Sequence, residues 1–262
     1  MSEALLVEAE GSVETWTIND PARRNPVTSP EFLTAFADQI ARINADNTVG
    51  AVVLTGAGRA FSSGGDVKAM ARSEGMFAAG ISELRGSYRR NVQTIPHLMS
   101  SNEVPFIAAV NGPAVGAGCD LAFMCDLRVA STTSFFAESF VKLGLIPGDG
   151  GAWFLPRAMP AGRAAEMVLT GDRVSATDAM AWGMLNALVP PEELLGTARA
   201  LAARIAVNPT PATRMAKRLL RESQRSDLGA LLELSAAMQA IAHQTDGHRA
   251  AMRDVLTPRV ER

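Results

Sequence analysis

The 262-residue chain is poor in cysteine, lysine, histidine and tyrosine. Its two cysteines, Cys119 and Cys125, both lie in the apolar stretch CDLAFMCDL. No CxxC pair and no Cys/His cluster with ligand spacing accompanies them, which argues against a zinc site. Two thiols without a disulfide framework suit a reducing compartment, so a cytoplasmic protein is expected. The acidic N-terminus MSEALLVEAEG lacks the basic and then apolar run of a secretory signal. No uninterrupted apolar stretch reaches the length of a membrane span, so no membrane partner is expected. Net charge is also small. Lys and Arg number 25 against 27 Asp and Glu, giving −2 at pH 7. A nucleic-acid partner is therefore not implied. Only Lys68, Lys142 and Lys217 are lysines. The remaining cations are arginine, which suits bidentate phosphate contacts.

What is present is a soluble-globular composition, 47% hydrophobic and 20% charged, in a chain long enough for one large domain. ALLVEAEG and SVETWTIND read as two strands joined at Glu10-Gly11. Ser29-Pro30 reads as an N-cap followed by proline at the first helical position. Phe32, Phe36, Ile40 and Ile43 then form one helical stripe. GAVVLTG and FIAAV are continuous apolar runs of strand length, as in strands covered on both faces. A helical region is expected to extend to about residue 101, and another helix begins near Gly116. LRVAS is strand-like. The second half is mostly helical. PAGRAAEMVLTG is closed by Gly171, SATDAMAWG is capped by Ser175 with Asp178 three residues on, and Pro191 opens a helix through ARALAARIA. A last long helix from about Ser226 carries Leu228, Leu231, Leu232, Met238, Ile241 and Ala242 on one side. The fold class is α/β, strand-rich first and helical last.

Glycine concentrates where the chain leaves two buried strands, at Gly64-Gly65 in FSSGGDVK and at Gly116-Ala117-Gly118 in NGPAVGAGCD. Small residues admit a ligand close to the backbone, and a helix start offers free N–H groups where the dipole favours negative charge. Two such loops suggest two donors converging on one oxygen. The chain has no GxxxxGK[ST], no GxGxxG and no GxSxG, so Walker, dinucleotide and α/β-hydrolase readings fail.

VVLTGAGRAFSSGGDVKAM and PFIAAVNGPAVGAGCDLAFMCDLRVA resemble the two signatures of the crotonase superfamily, the enoyl-CoA hydratases and isomerases. FVKLGLIPGDGGAWFLPR and AEMVLTGDRVSATDAMAWGMLNALVP continue the match in order, over residues 5–258. The resemblance implies a spiral of ββα repeats over residues 1–200 and a C-terminal helical region over 201–262 that builds a homotrimer or a hexamer. It implies an acyl-CoA thioester substrate and no further cofactor. It places the oxyanion-hole amides at Gly65 and Ala117. It lays the CoA path along Ser63, Gly64, Asp66, Lys68 and Gly116, with Phe140 at the acyl end and Arg24 nearby. Lys68 can equally be a solvated lysine, and Arg23 is an equal candidate for the role of Arg24.

The family's first catalytic glutamate corresponds to Asp120, one turn into the helix after the second loop. Its alternative role there is that of a dipole partner. The position of the second glutamate, four residues before Gly144, holds Phe140, which cannot carry a proton. That departure puts simple hydration in doubt, because hydration uses both acids. Glu138 and Asp149 are the nearby acids. Glu138 is expected to be structural or solvated. Asp149, in GLIPGDGG, is expected either to replace the missing acid or to cap the next helix. Asp126 with Arg128 reads as a structural ion pair, and Phe136, Phe140 and Trp153 as acyl-pocket or core aromatics. His97, His243 and His248 fall on no family catalytic position. Hydration is the leading expectation, double-bond isomerisation the second, and a non-catalytic thioester-binding protein the third.

Overall fold

The computed structural model describes residues 3–78 and 80–256. The chain runs β1 (Leu5–Glu10), β2 (Val13–Ile18), α1 (Pro30–Ala45), β3 (Ala51–Gly56), α2 (Val67–Ala71), α3 (Ile81–Arg90), α4 (Thr94–Ser101), β4 (Phe106–Val110), β5 (Ala114–Val115), α5 (Ala117–Met124), β6 (Leu127–Ser131) and β7 (Phe135–Ala137). It continues through α6 (Gly151–Ala158), α7 (Ala161–Thr170), β8 (Arg173–Ser175), α8 (Ala176–Ala181), β9 (Ala187–Val189), α9 (Leu194–Ala206), α10 (Thr210–Glu222), α11 (Leu228–His243) and α12 (Asp246–Leu256).

Two sheets share these strands. The larger has the order β1-β2-β3-β4-β6-β9 and the smaller β5-β7-β8. Only β1–β2 is antiparallel in the larger sheet. After β3 the chain alternates between them. β4 joins the large sheet and β5 the small one before α5 follows, then β6 and β7 repeat the step. This alternation is the ββα spiral expected from the resemblance.

The apolar runs fold as strands because both faces are covered. On β3, Val52 and Leu54 join Phe106 and the α1 stripe of Phe32, Phe36, Ile40 and Ile43. Ala51 and Val53, with period-2 alternation, join Ile107 and the α9 residues Leu194, Ala198 and Ala202. The local signals also hold. The Ser29 side chain accepts from Phe32 N–H with Pro30 at the first helical position. Gly171 ends α7 at φ 64°, and the Ser175 side chain accepts from Asp178 N–H.

Two expectations need correction. The helical region up to residue 101 is three separate helices, α2, α3 and α4, with a 3-10 turn at Gly75–Phe77. Asp126 does not pair with Arg128. It pairs with the buried Lys217 at 2.7 Å, while Arg128 donates to the carbonyls of Met184 and Cys125. On the apolar side of α11 Met238 is buried, whereas Leu228, Leu232 and Ile241 are all more than half exposed. Among the described residues no helix is long and apolar enough to cross a membrane.

Candidate active site

The two glycine loops meet. Ser62 N–H donates to Pro113 O and Val115 N–H to Ser62 O, bridging the first loop to the second. The Ser62 hydroxyl donates to Asn25 O and accepts from Gly64 N–H, which fixes the turn from inside. Gly64 has φ +80°, and a Cβ there would lie 2.3 Å from Val115 O and 2.9 Å from Ala117 N. A Cβ on Gly118 would fall 2.5 Å from the Ser62 side chain. Backbone thus packs on backbone at the point where the sequence shows glycine. Gly116 (φ 53°) precedes α5, and Ala117 is the first residue of that helix. Among the described residues neither Gly65 N–H nor Ala117 N–H meets an acceptor. Both expected donors remain available to a ligand oxygen, next to the positive end of the α5 dipole.

Behind these donors lie three buried acids. Asp120 is three residues beyond Ala117, hence on the same face of α5, and is 0% exposed. Glu138 follows β7, whose Ala137 pairs with Val115 beside the second loop. It is 1% exposed. The carboxylate oxygens of both residues lack a hydrogen-bond partner. The tight contact at Gly151 shows how close they are. A Cβ on that residue would sit 2.2 Å from Asp120 Oδ1 and 3.2 Å from Glu138 Oε2. Asp149, 6% exposed, lies on the loop leading into α6. Burial pushes all three upward, because a dry pocket disfavours the charged form. Asp149 rises to about 6. Glu138 rises to about 8, through burial first and Asp149 further down the order, with Cys119 and Asp120 opposing. Asp120 lies well above the usual carboxylate range, through burial and then the neighbouring Glu138 and Asp149. Burial also holds the adjacent Cys119 thiol neutral, far from a nucleophile's range.

The sequence expectations sort accordingly. Gly64, Gly65, Gly116, Ala117 and Asp120 come together with Asp149 on adjoining elements. Asp149 does not cap α6, whose cap residue is Gly150 with no side-chain acceptor. Glu138 is not solvated but enclosed, at the point where β7 ends at Ala137 and a 3-10 helix takes over at Ser139–Leu143. Sequence reasoning missed its contact with Asp120. Only the two-residue pairing of β5 with β7 brings them together, and so short a strand has no periodic signal. Phe140 lies over the second loop, its ring 3.4 Å from where a Gly116 Cβ would be. Ser63 N–H donates to Arg24 O, and Asp66 caps α2 through Lys68 and Ala69 N–H. Lys68 is exposed there. Arg23 is held by Asp20 at 2.6 Å and lies 3.9 Å from Asp66, while Arg24 is exposed.

A cavity of about 420 Å³ adjoins the Asp149 loop, lined by Arg85, Tyr88, Arg89, Gln93, Leu145, Ile146 and Gly148. Gln93 Nε2 donates to Gly148 O at 2.8 Å and anchors the loop there. A larger cavity of about 600 Å³ lies at the far end of α5 and touches neither glycine loop nor any of the three buried acids. Trp153, 46% exposed, faces that second cavity with Arg157 stacked on its ring, so it does not wall the acid cluster.

A family described as Enoyl-CoA hydratase/isomerase matches residues 8–256. The chain is 32% identical to a short-chain-enoyl-CoA hydratase of Clostridium acetobutylicum, covering 95% of this chain and 92% of that one. It is 33% identical to the 1,2-epoxyphenylacetyl-CoA isomerase of Escherichia coli K12, covering 99% and 97%. The crystal structure of an enoyl-CoA hydratase from Bacillus anthracis superposes with a TM-score of 0.88 at 29% identity, covering 95% of each chain.

Proposed function

We propose, from the premise that this chain belongs to the enoyl-CoA hydratase/isomerase family, that its site forms an enolate on an acyl-CoA thioester and relocates a proton along the acyl chain. The enzyme is of the hydratase/isomerase type, and the residue roles that follow are part of the proposal. Gly65 and Ala117 donate to the thioester oxygen. That contact strengthens as the oxygen gains charge, so it lowers the barrier more than it tightens ground-state binding. The path past Ser63, Asp66, Lys68 and Arg24 carries the coenzyme. Asp149, at about 6, is largely ionised at neutral pH and takes the proton. Asp120, held well above the carboxylate range, is protonated and returns one. Two acids separated in this way supply base and acid from one pocket.

One observation favours relocation of a double bond over hydration. Phe140 occupies the place of the second family acid, and its ring packs over Gly116, so an apolar group stands where hydration needs a group to hold water. The relatives include both a hydratase and an isomerase, and the experiment separates the reactions. The protein is given 3-enoyl-CoA and 2-enoyl-CoA thioesters of several chain lengths. Faster formation of 2-enoyl-CoA from the 3-isomer than of 3-hydroxyacyl-CoA supports the reading. Faster hydration overturns it.

The role of Asp149 has its own test. Asp149→Ser removes a carboxyl that caps nothing, so the melting temperature should hold. Turnover should fall by about 10²-fold, the size expected for lost general acid–base catalysis. Full turnover would remove Asp149 from the mechanism. The exposed apolar side of α11 supports assembly as a trimer or a pair of trimers, in line with the resemblance.

A further inference from the structure

Glu138 has no part in the roles above, yet it is the acid whose placement most needs explaining. Its carboxyl and that of Asp120 are fully enclosed and converge on one point beside Gly151. Neither forms an ion pair with any described residue, and their nearest polar groups are each other, the Cys119 thiol and the Gly151 amide. The groups that face them are few: Cys119 from α5, Asp149 from the loop before α6, and the Gly151 amide at the start of α6. No cation is among them, and the nearby Lys142 is engaged with Asp172 at 2.6 Å. The acids are not disposed to share a metal ion, since no three such side chains among the described residues form a ligand group. Two carboxylates in a dry pocket without a cation cannot both ionise, because each charge would stay uncompensated. Protons must therefore neutralise them.

We propose that Asp120 and Glu138 work as one buried acid, in which Glu138 is the positioning partner that keeps a proton beside Asp120 and steadies its carboxylate after it has given one up. The proposal rests on the reading of Asp120 as proton donor. In a turnover, the Asp149 carboxylate takes a proton from one substrate carbon as the C–H electron pair enters the enolate. The Asp120 O–H proton then goes to the second carbon as the enolate electrons form the new C–H bond. Asp120 is left as a carboxylate that accepts a hydrogen bond from protonated Glu138. Transfer of the proton from Asp149 to the neighbouring Asp120 restores the start. One proton has moved along the substrate and none is gained or lost. Without the Glu138 O–H the Asp120 carboxylate loses the hydrogen bond that steadies it, so Asp120 holds its proton to higher pH.

Glu138→Leu tests this, because it keeps a side chain of similar size and removes both the titrating group and the hydrogen-bond donor. The alkaline limb of the pH profile of kcat should move up by about one pH unit or more, with KM changed by less than about twofold. Glu138→Asp, which restores an acid, should move the limb back toward wild type. A folded Glu138→Leu enzyme whose alkaline limb is unmoved or moved down overturns the proposal. A second measurement does not depend on turnover. The infrared spectrum of the wild-type protein at pH 7 should show carbonyl-stretch absorption from protonated carboxyls that weakens in Asp120→Asn and in Glu138→Leu. Its absence from the wild type, with both acids ionised, would also overturn the proposal. If the absorption is present but no proton relocation is catalysed, the pair exists and the functional reading is what fails.

Discussion

Ala117→Pro is expected to lower kcat by about 10²–10³-fold, which corresponds to roughly 3–4 kcal/mol of lost transition-state stabilisation. The substitution removes one N–H and little else. Ala117 is the first residue of α5, where the N–H has no helical partner and proline's fixed φ suits the helix. The preceding residue is glycine, so the restriction that proline imposes on its neighbour is tolerable. KM should change far less than kcat, because the donor acts on charge that develops only in the enolate. The comparison is made on protein whose melting temperature shows it to be folded. Near-normal kcat in that protein would mean that Ala117 does not donate to the thioester oxygen.

Gly64→Ala should damage stability and catalysis together. Two costs add at this position. An L-residue at φ +80° costs roughly 1–2 kcal/mol, and a Cβ 2.3 Å from Val115 O cannot be accommodated without parting the loops. Gly11 provides the control. It also has positive φ, +60°, but nothing lies within 4 Å of a Cβ there. Gly11→Ala should therefore lose only the conformational cost, whereas Gly64→Ala should lose roughly 3 kcal/mol or more in a denaturant titration. Parting the loops also separates Gly65 from Ala117, so kcat should fall at least about tenfold, since a displacement near 1 Å is enough for such losses. Equal stability loss in the two variants would show that the loops do not depend on the close approach at Gly64.

These two positions also show what was legible in the sequence. Glycine after a buried strand is a local signal with a local cause, and Gly64, Gly116 and Gly171 all have positive φ. Ser29, Pro30 and Ser175 are equally local, and each caps or opens a helix as the sequence implies. The runs at β3 and β4 read correctly because both faces of the larger sheet are covered. What failed to show was contact between residues distant in the chain. Asp120 meets Glu138 only because β5 and β7 pair over two residues. Asp126 meets Lys217 across most of the chain's second half, a choice that hydrophobic pattern cannot reveal. Asp149 looked like a helix cap because it precedes an apolar helical stretch, yet the helix starts one residue later than that role requires. The family resemblance pointed to Gly65, Ala117 and Asp120, and its departure at Phe140 pointed to the acids Glu138 and Asp149, which lie close to Asp120.

The most direct test of the account is exchange of the α-protons of a saturated acyl-CoA in deuterated water, followed by proton NMR. It needs enolate formation and nothing after it, so it is indifferent to whether the full reaction is hydration or isomerisation. The wild-type protein should exchange the α-protons while leaving the rest of the acyl chain untouched, and Ala117→Pro should slow that exchange by about the same 10²–10³-fold as turnover. Wild-type protein that binds the thioester yet leaves its α-protons in place would contradict enolate stabilisation by the two loops.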